Sequence, residues 1–330
     1  MEPKFRTEVK IPEFRYKTGY AHQNMFLGSC FTENIGSRMA VLKYPVDINP
    51  FGILYNPESV ANSLKMLLNG RKFSLTDLVH HEGLWHSFSH HGRFSSEDAN
   101  VTLQQINERL EYSSAFLKTA GFLFITFGTA RVYKHKKSGE TVANCHKIPD
   151  SEFIRSRLTV DEIVAEYLRL IDEIRAVNPS IKIIFTVSPI RHWKDGAVEN
   201  QLSKATLLLA IDEIIHSRGE NCAYFPAYEL VMDELRDYRF YAPDMLHISD
   251  VAIDFIWNKF ENALIDAESR QISVRVQKIV QAANHRPFNK NTPEYSRFLL
   301  QMQEHINNLE KEFKNIDFTG EKVYFFGSEK

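Results

Sequence analysis

The sequence predicts a three-layer α/β fold, in which helices cover both faces of a parallel sheet. Short apolar runs with strand character alternate with amphipathic segments of helical spacing over residues 1–265. Strands separated by helices are typical of parallel pairing, since each helix carries the chain back to the start of the next strand. Such sheets bind ligands outside the carboxyl ends of their strands. Residues that directly follow the strands are therefore the candidates for function.

Five apolar runs predict the strands of this sheet. They are short and are bounded by glycine, proline or polar residues, as buried parallel strands usually are. The runs cover residues 25–28, 44–48, 121–128, 181–187 and 222–225. Two of them close on a glycine, Gly28 and Gly128, which predicts tight turns at the carboxyl edge of the sheet.

Apolar residues at helical spacing predict the helices that connect the strands. The helix over 32–42 has Thr32 as its expected N-cap, and the helix over 57–68 opens with Pro57 in its first turn. Further helices are predicted over 101–118, 159–177, 199–217 and 249–264. Residues 69–100 break this rhythm, and the segment of about 69–120 is therefore interpreted as an insertion.

The last part of the chain has a different character. From residue 266 onwards it is charged and helical without strands, with helices predicted over 270–283 and 293–313. We therefore divide the chain into an α/β domain over 1–265 and a helical C-terminal extension over 266–330. The extension is expected to pack on the domain or to join two copies in a homo-oligomer.

Composition and charge exclude several functional classes. Hydrophobic residues make up 43% of the 330, which is enough for a large core, and the net charge is −2, so no nucleic-acid or anionic-membrane partner is expected. The N-terminus lacks an apolar leader, and no window is long enough to span a membrane. The three cysteines, Cys30, Cys145 and Cys222, are far apart, which predicts reduced thiols and a cytoplasmic location.

The first candidate for chemistry is the segment Gly28-Ser29-Cys30-Phe31-Thr32, at a predicted strand-to-helix turn. A helix N-terminus offers free N–H groups and a positive partial charge, which stabilise a thiolate or a developing oxyanion. Cys30 would then be a nucleophile whose pKa the turn lowers. The alternative is that Cys30 is a small core residue, as free cysteines often are.

The second candidate is Asp244-Met245-Leu246-His247, which precedes the predicted helix over 249–264. An aspartate three residues before a histidine can accept the proton of Nδ1 while Nε2 faces a nucleophile. That is the arrangement of base and orienting acid in a hydrolytic triad. The alternative is a helix-capping aspartate beside a surface histidine. An early nucleophile turn and a late Asp-x-x-His together favour the catalytic interpretation.

Several segments together resemble the GSCFA family, which is named for its N-terminal motif. They are FLGSCFTENIG, NPFGILYNP, FGTARVY, VANCHKIP, SPIRHWKDG and YFPAYELVMDELRDYRFYAPDMLH, and they span roughly residues 20–260. The family is similar to the SGNH/GDSL esterases and lipases. The resemblance implies a flavodoxin-like sheet and a reaction at an ester bond through an acyl-enzyme.

The resemblance also implies roles for individual residues. SGNH enzymes begin with Gly-Asp-Ser-x-Thr, and this pattern aligns their nucleophile with Cys30 rather than Ser29, although Ser29 stays open as the rival. Their closing Asp-x-x-His falls on Asp244 and His247. The glycine of their second block, whose N–H helps to bind the oxyanion, corresponds to Gly52 or a close neighbour.

The third block departs from the SGNH pattern. Those enzymes have Gly-x-Asn-Asp, where this chain has Gly128-Thr129-Ala130-Arg131. Ala130 cannot donate the hydrogen bond that the asparagine supplies, and one missing oxyanion donor usually costs ~10²–10³ in rate. Asn144 or His146 is the expected substitute, with Gly128 close to the substrate.

Two further groups of residues have weaker signals. Five histidines between 80 and 91 make a zinc site conceivable, but the pattern favours a polar loop, so neither a metal nor another cofactor is expected. Arg191, His192 and Trp193 follow the strand predicted over 181–187 and are therefore candidates for substrate contact, alongside an ordinary loop as the alternative.

These observations predict a hydrolase that acts on a small acyl or O-acetyl ester, with a small molecule or a carbohydrate as the alcohol. Cys30 or Ser29 would attack, His247 would move the proton, and Asp244 would orient His247. Two alternatives remain at this point. The same residues could transfer the acyl group to another alcohol, or the chain could be a non-catalytic binding protein that has lost the oxyanion donor.

Overall fold

A computed structural model describes residues 6–285, 289 and 291–327 of the chain. Within those residues the strands are β1 (Asn24–Gly28), β2 (Val46–Ile48), β3 (Val79–His81), β4 (Leu84–His86), β5 (Phe122–Phe127), β6 (Arg131–His135), β7 (Thr141–Val142), β8 (Phe153–Arg157), β9 (Lys182–Val187) and β10 (Cys222–Tyr224). The helices are α1 (Cys30–Val41), α2 (Pro57–Leu68), α3 (Ala99–Thr119), α4 (Val160–Val177), α5 (Gly196–Arg218), α6 (Ala227–Glu229), α7 (Asp250–Leu264), α8 (Ala267–Asn284), α9 (Pro293–Glu312) and α10 (Thr319–Phe326). None of these helices is long and apolar enough to cross a membrane.

The central sheet has five strands in the order β10-β9-β5-β1-β2, and every neighbouring pair is parallel. If only these five strands are numbered, from first to last along the chain, their order across the sheet is 2-1-3-4-5. This is the flavodoxin-like order. The predicted three-layer α/β fold is therefore confirmed. In this order the chain reverses its direction of winding between β1 and β5, and ligands bind in the crevice outside the carboxyl ends of two such strands.

The two faces of the sheet support separate hydrophobic cores, because successive side chains of a strand point to opposite sides. In β5, Leu123, Ile125 and Phe127 pack in the core that also contains buried residues of α2, α3, α4 and α5. Phe122 and Phe124 face the other core, with buried residues of α1 and α7. Helices thus cover the sheet on both sides.

The C-terminal helices complete the second core. Val276 of α8, Ile306 of α9 and Phe325 of α10 are buried in the same cluster as Phe26 of β1 and Ile256 of α7. The predicted helical extension thus packs on the α/β domain of its own chain. A homo-oligomer through these helices stays a prediction.

Two small antiparallel sheets lie beside the central one. The hairpin β3–β4 falls in the insertion predicted at about 69–120, whereas the sheet of order β7-β6-β8 was not predicted. In β6, Val132 alone is fully buried and its neighbours are partly exposed. With one core residue, such a strand has too little apolar alternation to be recognised.

Candidate active site

The crevice between β1 and β5 holds the turn that the sequence singled out. At Gly28 the backbone has φ +142°, and a Cβ atom there would lie 2.2 Å from the carbonyl oxygen of Thr126 in β5. No other residue fits this close approach, so the glycine lets the chain turn directly from strand to helix. The predicted N-cap Thr32 is wrong: Ser29 is the N-cap of α1, and the helix begins at Cys30. Thr32 is instead buried beneath the turn.

A Gly28→Ala variant is expected to lose about 3 kcal/mol or more of its free energy of unfolding, from backbone strain and the clash with Thr126. The midpoint of urea unfolding measures the loss. Gly70→Ala is the control, because Gly70 has φ +59° but no atom within 4 Å of the added Cβ. Equal losses in both variants would show that the close approach to β5 contributes nothing.

The two rival nucleophiles differ in accessibility. The side chain of Ser29 is buried, at 3% exposure, and its Oγ has no hydrogen-bond partner among the described residues. Cys30 is half-buried, and its Sγ lies 3.9 Å from the hydroxyl oxygen of Tyr55. A substrate in the crevice can therefore reach the thiol of Cys30 more readily than the hydroxyl of Ser29.

The pKa of the Cys30 thiol is raised, whereas the sequence analysis expected it to be lowered. Burial raises the pKa of its thiol, and the hydrogen bond from Tyr55 and the backbone N–H at the start of α1 oppose that effect only in part. Glu33, one turn along the helix, raises the pKa further. The prediction that the turn lowers this pKa is therefore wrong for the free protein. The thiol is the resting form, and it needs a base.

The raised pKa predicts how Cys30 reacts with iodoacetamide. Burial disfavours the thiolate, so the reactive fraction is small at neutral pH and the rate of alkylation should still be rising above about pH 8.5, the ordinary pKa of a cysteine. Peptide mapping after timed alkylation measures each cysteine separately, with Cys145 as an internal comparison because burial raises its pKa to about 11. A plateau below about pH 7 would instead reveal a preformed thiolate.

Asp244 and His247 form a pair in the loop before α7. Nδ1 of His247 lies 2.5 Å from Oδ2 of Asp244, and Oδ1 of Asp244 accepts the backbone N–H groups of Leu246 and His247 at 3.0 and 2.9 Å. These hydrogen bonds, the one from the His247 side chain first, lower the pKa of Asp244 to about 2. Met245 between them has φ +59°, which folds the loop so that the two side chains meet. Nε2 of His247 is thereby left available for a proton.

The pair lies beside a cleft of about 580 Å³ at the carboxyl edge of the sheet. Asp244 and Leu246 line this cleft together with Arg191 and Trp193, from the loop that follows β9. The side chain of His247 is 53% exposed, and in the part of the chain that the structure describes no hydrogen bond joins it to Cys30. In the described conformation the two predicted catalytic groups are therefore not hydrogen-bonded to each other.

Both glycines that were expected near the oxyanion have engaged N–H groups. Gly52 donates to the carbonyl oxygen of Asn49 at 2.7 Å, and Gly128 donates to that of Tyr55 at 2.8 Å. Neither N–H is free to bind an oxyanion in this conformation, so the oxyanion role predicted for Gly52 has no support here. Gly128 nevertheless lies close to the turn, since a Cβ on it would be 3.6 Å from the Cβ of Ser29.

Asn49 is a residue that sequence reasoning missed. It follows β2, has φ +45°, and accepts the N–H of Gly28 on its Oδ1 at 2.9 Å. Its Nδ2 is buried and has no partner among the described residues. Buried amide donors are nearly always paired, so this one is available for a ligand or a water beside the nucleophile turn.

The expected substitute donors, Asn144 and His146, are engaged elsewhere. Oδ1 of Asn144 accepts the backbone N–H of His146 at 2.9 Å. Nε2 of His146 lies 2.8 Å from the carbonyl oxygen of Ser87, and its ring stacks on His86 with centroids 4.4 Å apart. Burial lowers the pKa of His146 to about 4. These contacts join the 131–157 segment to the insertion and do not bring either side chain to Cys30.

The other predicted candidates are His192 and the histidines between residues 80 and 91. His192 is half-buried, and burial lowers its pKa, while its neighbours Arg191 and Trp193 line the cleft. Among the described residues, no group of three or more His, Cys, Asp or Glu side chains is placed to hold a metal ion. The histidines at 86 and 90 instead bind Ser95 and Ser87, at 2.7 and 2.9 Å.

Lys204 of α5 is a further residue that the sequence analysis missed. Its Nζ donates to the carbonyl oxygens of Gly128, Ser188 and Ile190 at 2.7, 2.6 and 3.0 Å. It is fully buried, and burial together with the charge of Arg191 lowers its pKa to about 7. Lys204 thus ties the loop after β5 to the loop after β9 beneath the crevice.

Comparison with known proteins agrees with the motifs. The model of the GSCFA family matches residues 23–260. This chain belongs to the GSCFA family. The resemblance inferred from the sequence motifs is therefore confirmed. The model of the GSCFA C-terminal domain matches residues 276–326, which cover the second half of α8 and all of α9 and α10.

No curated protein matches the GSCFA chain. Among solved structures it is similar to an acetyl xylan esterase (Est2A) from the rumen bacterium Butyrivibrio proteoclasticus, with 11% identity and a TM-score of 0.37. The match covers 74% of this chain and 65% of that one, so it spans less than two thirds of the esterase. A likeness this low does not bear on the reaction.

Proposed function

We propose that this GSCFA protein is an SGNH-like esterase that cleaves small acyl esters through a thioester on Cys30. One observation carries the proposal: the thiol is half-exposed at the first residue of α1, in the crevice between β1 and β5, while the neighbouring Ser29 hydroxyl is buried. Flavodoxin-like sheets bind their ligands at this crevice. The O-acetyl group of a carbohydrate is a suitable substrate for such a site.

The proposed reaction has two steps. The thiol proton of Cys30 moves to Nε2 of His247 as Sγ bonds to the ester carbonyl carbon, and the tetrahedral intermediate then breaks the C–O bond. The leaving alkoxide takes the proton from the imidazolium. Water, deprotonated by His247, next attacks the thioester and releases the acid and the thiol. Asp244 holds the ring in the required tautomer by accepting its Nδ1 proton at 2.5 Å.

Proton transfer requires His247 to come within hydrogen-bond reach of Sγ. Catalytic hydrogen bonds are often long or absent in free enzymes and form when the substrate binds. The loop of residues 236–249 is exposed over much of its length, with Tyr238 at 75% and Met245 at 51% exposure. We therefore infer that this loop closes on the substrate and brings the pair to Cys30.

The oxyanion needs donors other than those first expected. In the first turn of α1, Thr32 donates its backbone N–H to the carbonyl oxygen of Ser29 at 2.9 Å, so the N–H groups of Cys30 and Phe31 are the proposed backbone donors. The positive end of the helix dipole favours a developing negative charge at this position. Nδ2 of Asn49, buried without a partner, is the proposed side-chain donor. Together they would take the roles first expected of Gly52 and of Asn144 or His146.

A second candidate function is a non-catalytic binding protein on the same fold. The absence of a hydrogen bond between Cys30 and His247 in the described residues favours it, as do the engaged N–H groups of Gly52 and Gly128. If an alcohol replaces water in the second step, the same residues make an acyltransferase.

Hydrolysis of 4-nitrophenyl acetate by the purified full chain tests the proposal. Turnover well above that of free cysteine, together with a mass increase of one acetyl group on the protein, is the expected result. Formation of the adduct without turnover, followed by faster release when an alcohol is added, would indicate the acyltransferase. If neither turnover nor an adduct is observed, the binding protein is the better account.

A further inference from the structure

The cleft beside the Asp244–His247 pair combines an apolar, aromatic wall with an arginine side chain. Apolar and aromatic side chains form much of its wall, including Trp193, Tyr241 and Met245. Trp193 is 52% exposed although it is among the largest apolar residues of the chain. Large exposed aromatic residues around a concave surface are typical of ligand sites.

Arg191 lines the same cleft and has no acidic partner. Among the described residues its guanidinium forms no ion pair, and its hydrogen bonds go to neutral atoms, Oε1 of Gln201 at 3.5 Å and Sδ of Met232 at 3.7 Å. Arg236, the other arginine of the cleft, is paired with Asp233 at 3.0 Å. A guanidinium that is held in an apolar wall without a carboxylate has unused capacity to bind an anion.

The acidic residues of the cleft do not neutralise Arg191. Asp237 accepts the backbone N–H of Arg239 at 2.9 Å and pairs with its side chain at 3.8 Å. Asp244 accepts three hydrogen bonds from its own loop and from His247. The positive charge of Arg191 is therefore the one that remains available to a ligand in the cleft.

We propose that Arg191 binds a carboxylate on the substrate, so that the ester cleaved by this protein carries an anionic group on a ring-shaped body. This inference rests on the proposed function and names its substrate class. The planar fork of arginine donates two parallel hydrogen bonds to a carboxylate, and Trp193 and Tyr241 pack against the ring. Because Asp244 lines the same cleft, an ester anchored there lies next to the catalytic pair.

Binding of benzoate and benzamide, measured by calorimetry on the full chain, tests the proposal without any hydrolysis. Benzoate is expected to bind about tenfold or more tightly than its neutral analogue. Arg191→Gln should abolish that preference, and Arg191→Lys should keep part of it. Arg218→Gln removes a positive charge that is paired with Asp172 away from the cleft, and should change benzoate affinity by less than about twofold.

Equal binding of benzoate and benzamide to the wild-type chain would overturn the proposal, and this result depends on no variant. So would an unchanged preference in a folded Arg191→Gln protein. A kinetic arm separates this failure from that of the proposed function, by comparing kcat/KM for 4-acetoxybenzoate and 4-acetoxybenzamide. Benzoate binding that requires Arg191, without hydrolysis of either ester, would keep the anion site and reject the esterase.

Discussion

Cys30→Ala is expected to lower kcat/KM for ester hydrolysis by roughly 10⁴-fold or more, because the acyl-enzyme cannot form without its nucleophile. The alanine fits without strain, since Cys30 is the first residue of α1 and the one hydrogen bond of its Sγ among the described residues is to the hydroxyl of Tyr55. The variant should therefore unfold at the same urea concentration as the wild type. Steady-state hydrolysis of 4-nitrophenyl acetate, with circular dichroism as the check on folding, measures the effect.

Ser29→Ala is the matched control at the neighbouring position. The Ser29 hydroxyl is buried and makes no side-chain capping hydrogen bond to α1, so its removal should change kcat/KM by less than about threefold. A large loss in Ser29→Ala with activity retained in Cys30→Ala would transfer the nucleophile to serine. Comparable losses in both would point to the shape of the turn rather than to either side chain.

Replacement of either member of the Asp244–His247 pair is expected to produce the second-largest effect. His247→Ala removes the base, and Asp244→Asn replaces the acceptor of the Nδ1 proton by an amide that favours the wrong tautomer, so each should cost about 10²–10⁴ in kcat. Because the pKa of Asp244 is lowered to about 2, its carboxylate is ionised throughout the usual assay range. Any loss of wild-type activity between about pH 4 and 7 must then come from another group.

A second aspartate–histidine pair provides the control. Oδ1 of Asp212 lies 3.4 Å from Nδ1 of His216 on the exposed side of α5, with both side chains more than two thirds exposed. Asp212→Asn and His216→Ala should leave kcat within about twofold, since surface pairs of this kind contribute little. If the Asp212 and His216 variants lowered kcat as much as the Asp244 and His247 variants, the loss would reflect the change in overall charge and not the removal of a catalytic group.

Local signals allowed much of the fold to be predicted from the sequence. The helix α2 was located to the residue, at Pro57–Leu68, because Asn56 caps it with a side-chain hydrogen bond and Pro57 begins it. The N-cap of α1 was predicted at Thr32, three residues late, since the true N-cap, Ser29, makes no such bond. The continuous apolar run of a buried parallel strand is equally local, whereas the side sheet around β6 depends on pairing between distant segments.

The candidate site could be predicted only in part, because some of its contacts join residues that are far apart in the sequence. Asp244 and His247 are three residues apart, and this short spacing predicts their contact. Asn49 and Lys204 instead make long-range contacts. Asn49 accepts the backbone N–H of Gly28, and Lys204 donates to three carbonyl oxygens in the loops after β5 and β9. The helical period of α5 does place Lys204 on its buried face, and a lysine at such a position is a signal that could have been used.

The most direct test of the central claim is to locate the acyl group on the protein. The chain is mixed with 4-nitrophenyl acetate, quenched in acid within the first turnover and mapped by peptide mass spectrometry. The account predicts one hydroxylamine-sensitive acetyl group on Cys30, and less on Cys145, which is also half-exposed. Acetylation of Ser29, or equal acetylation of Cys30 and Cys145, would contradict it.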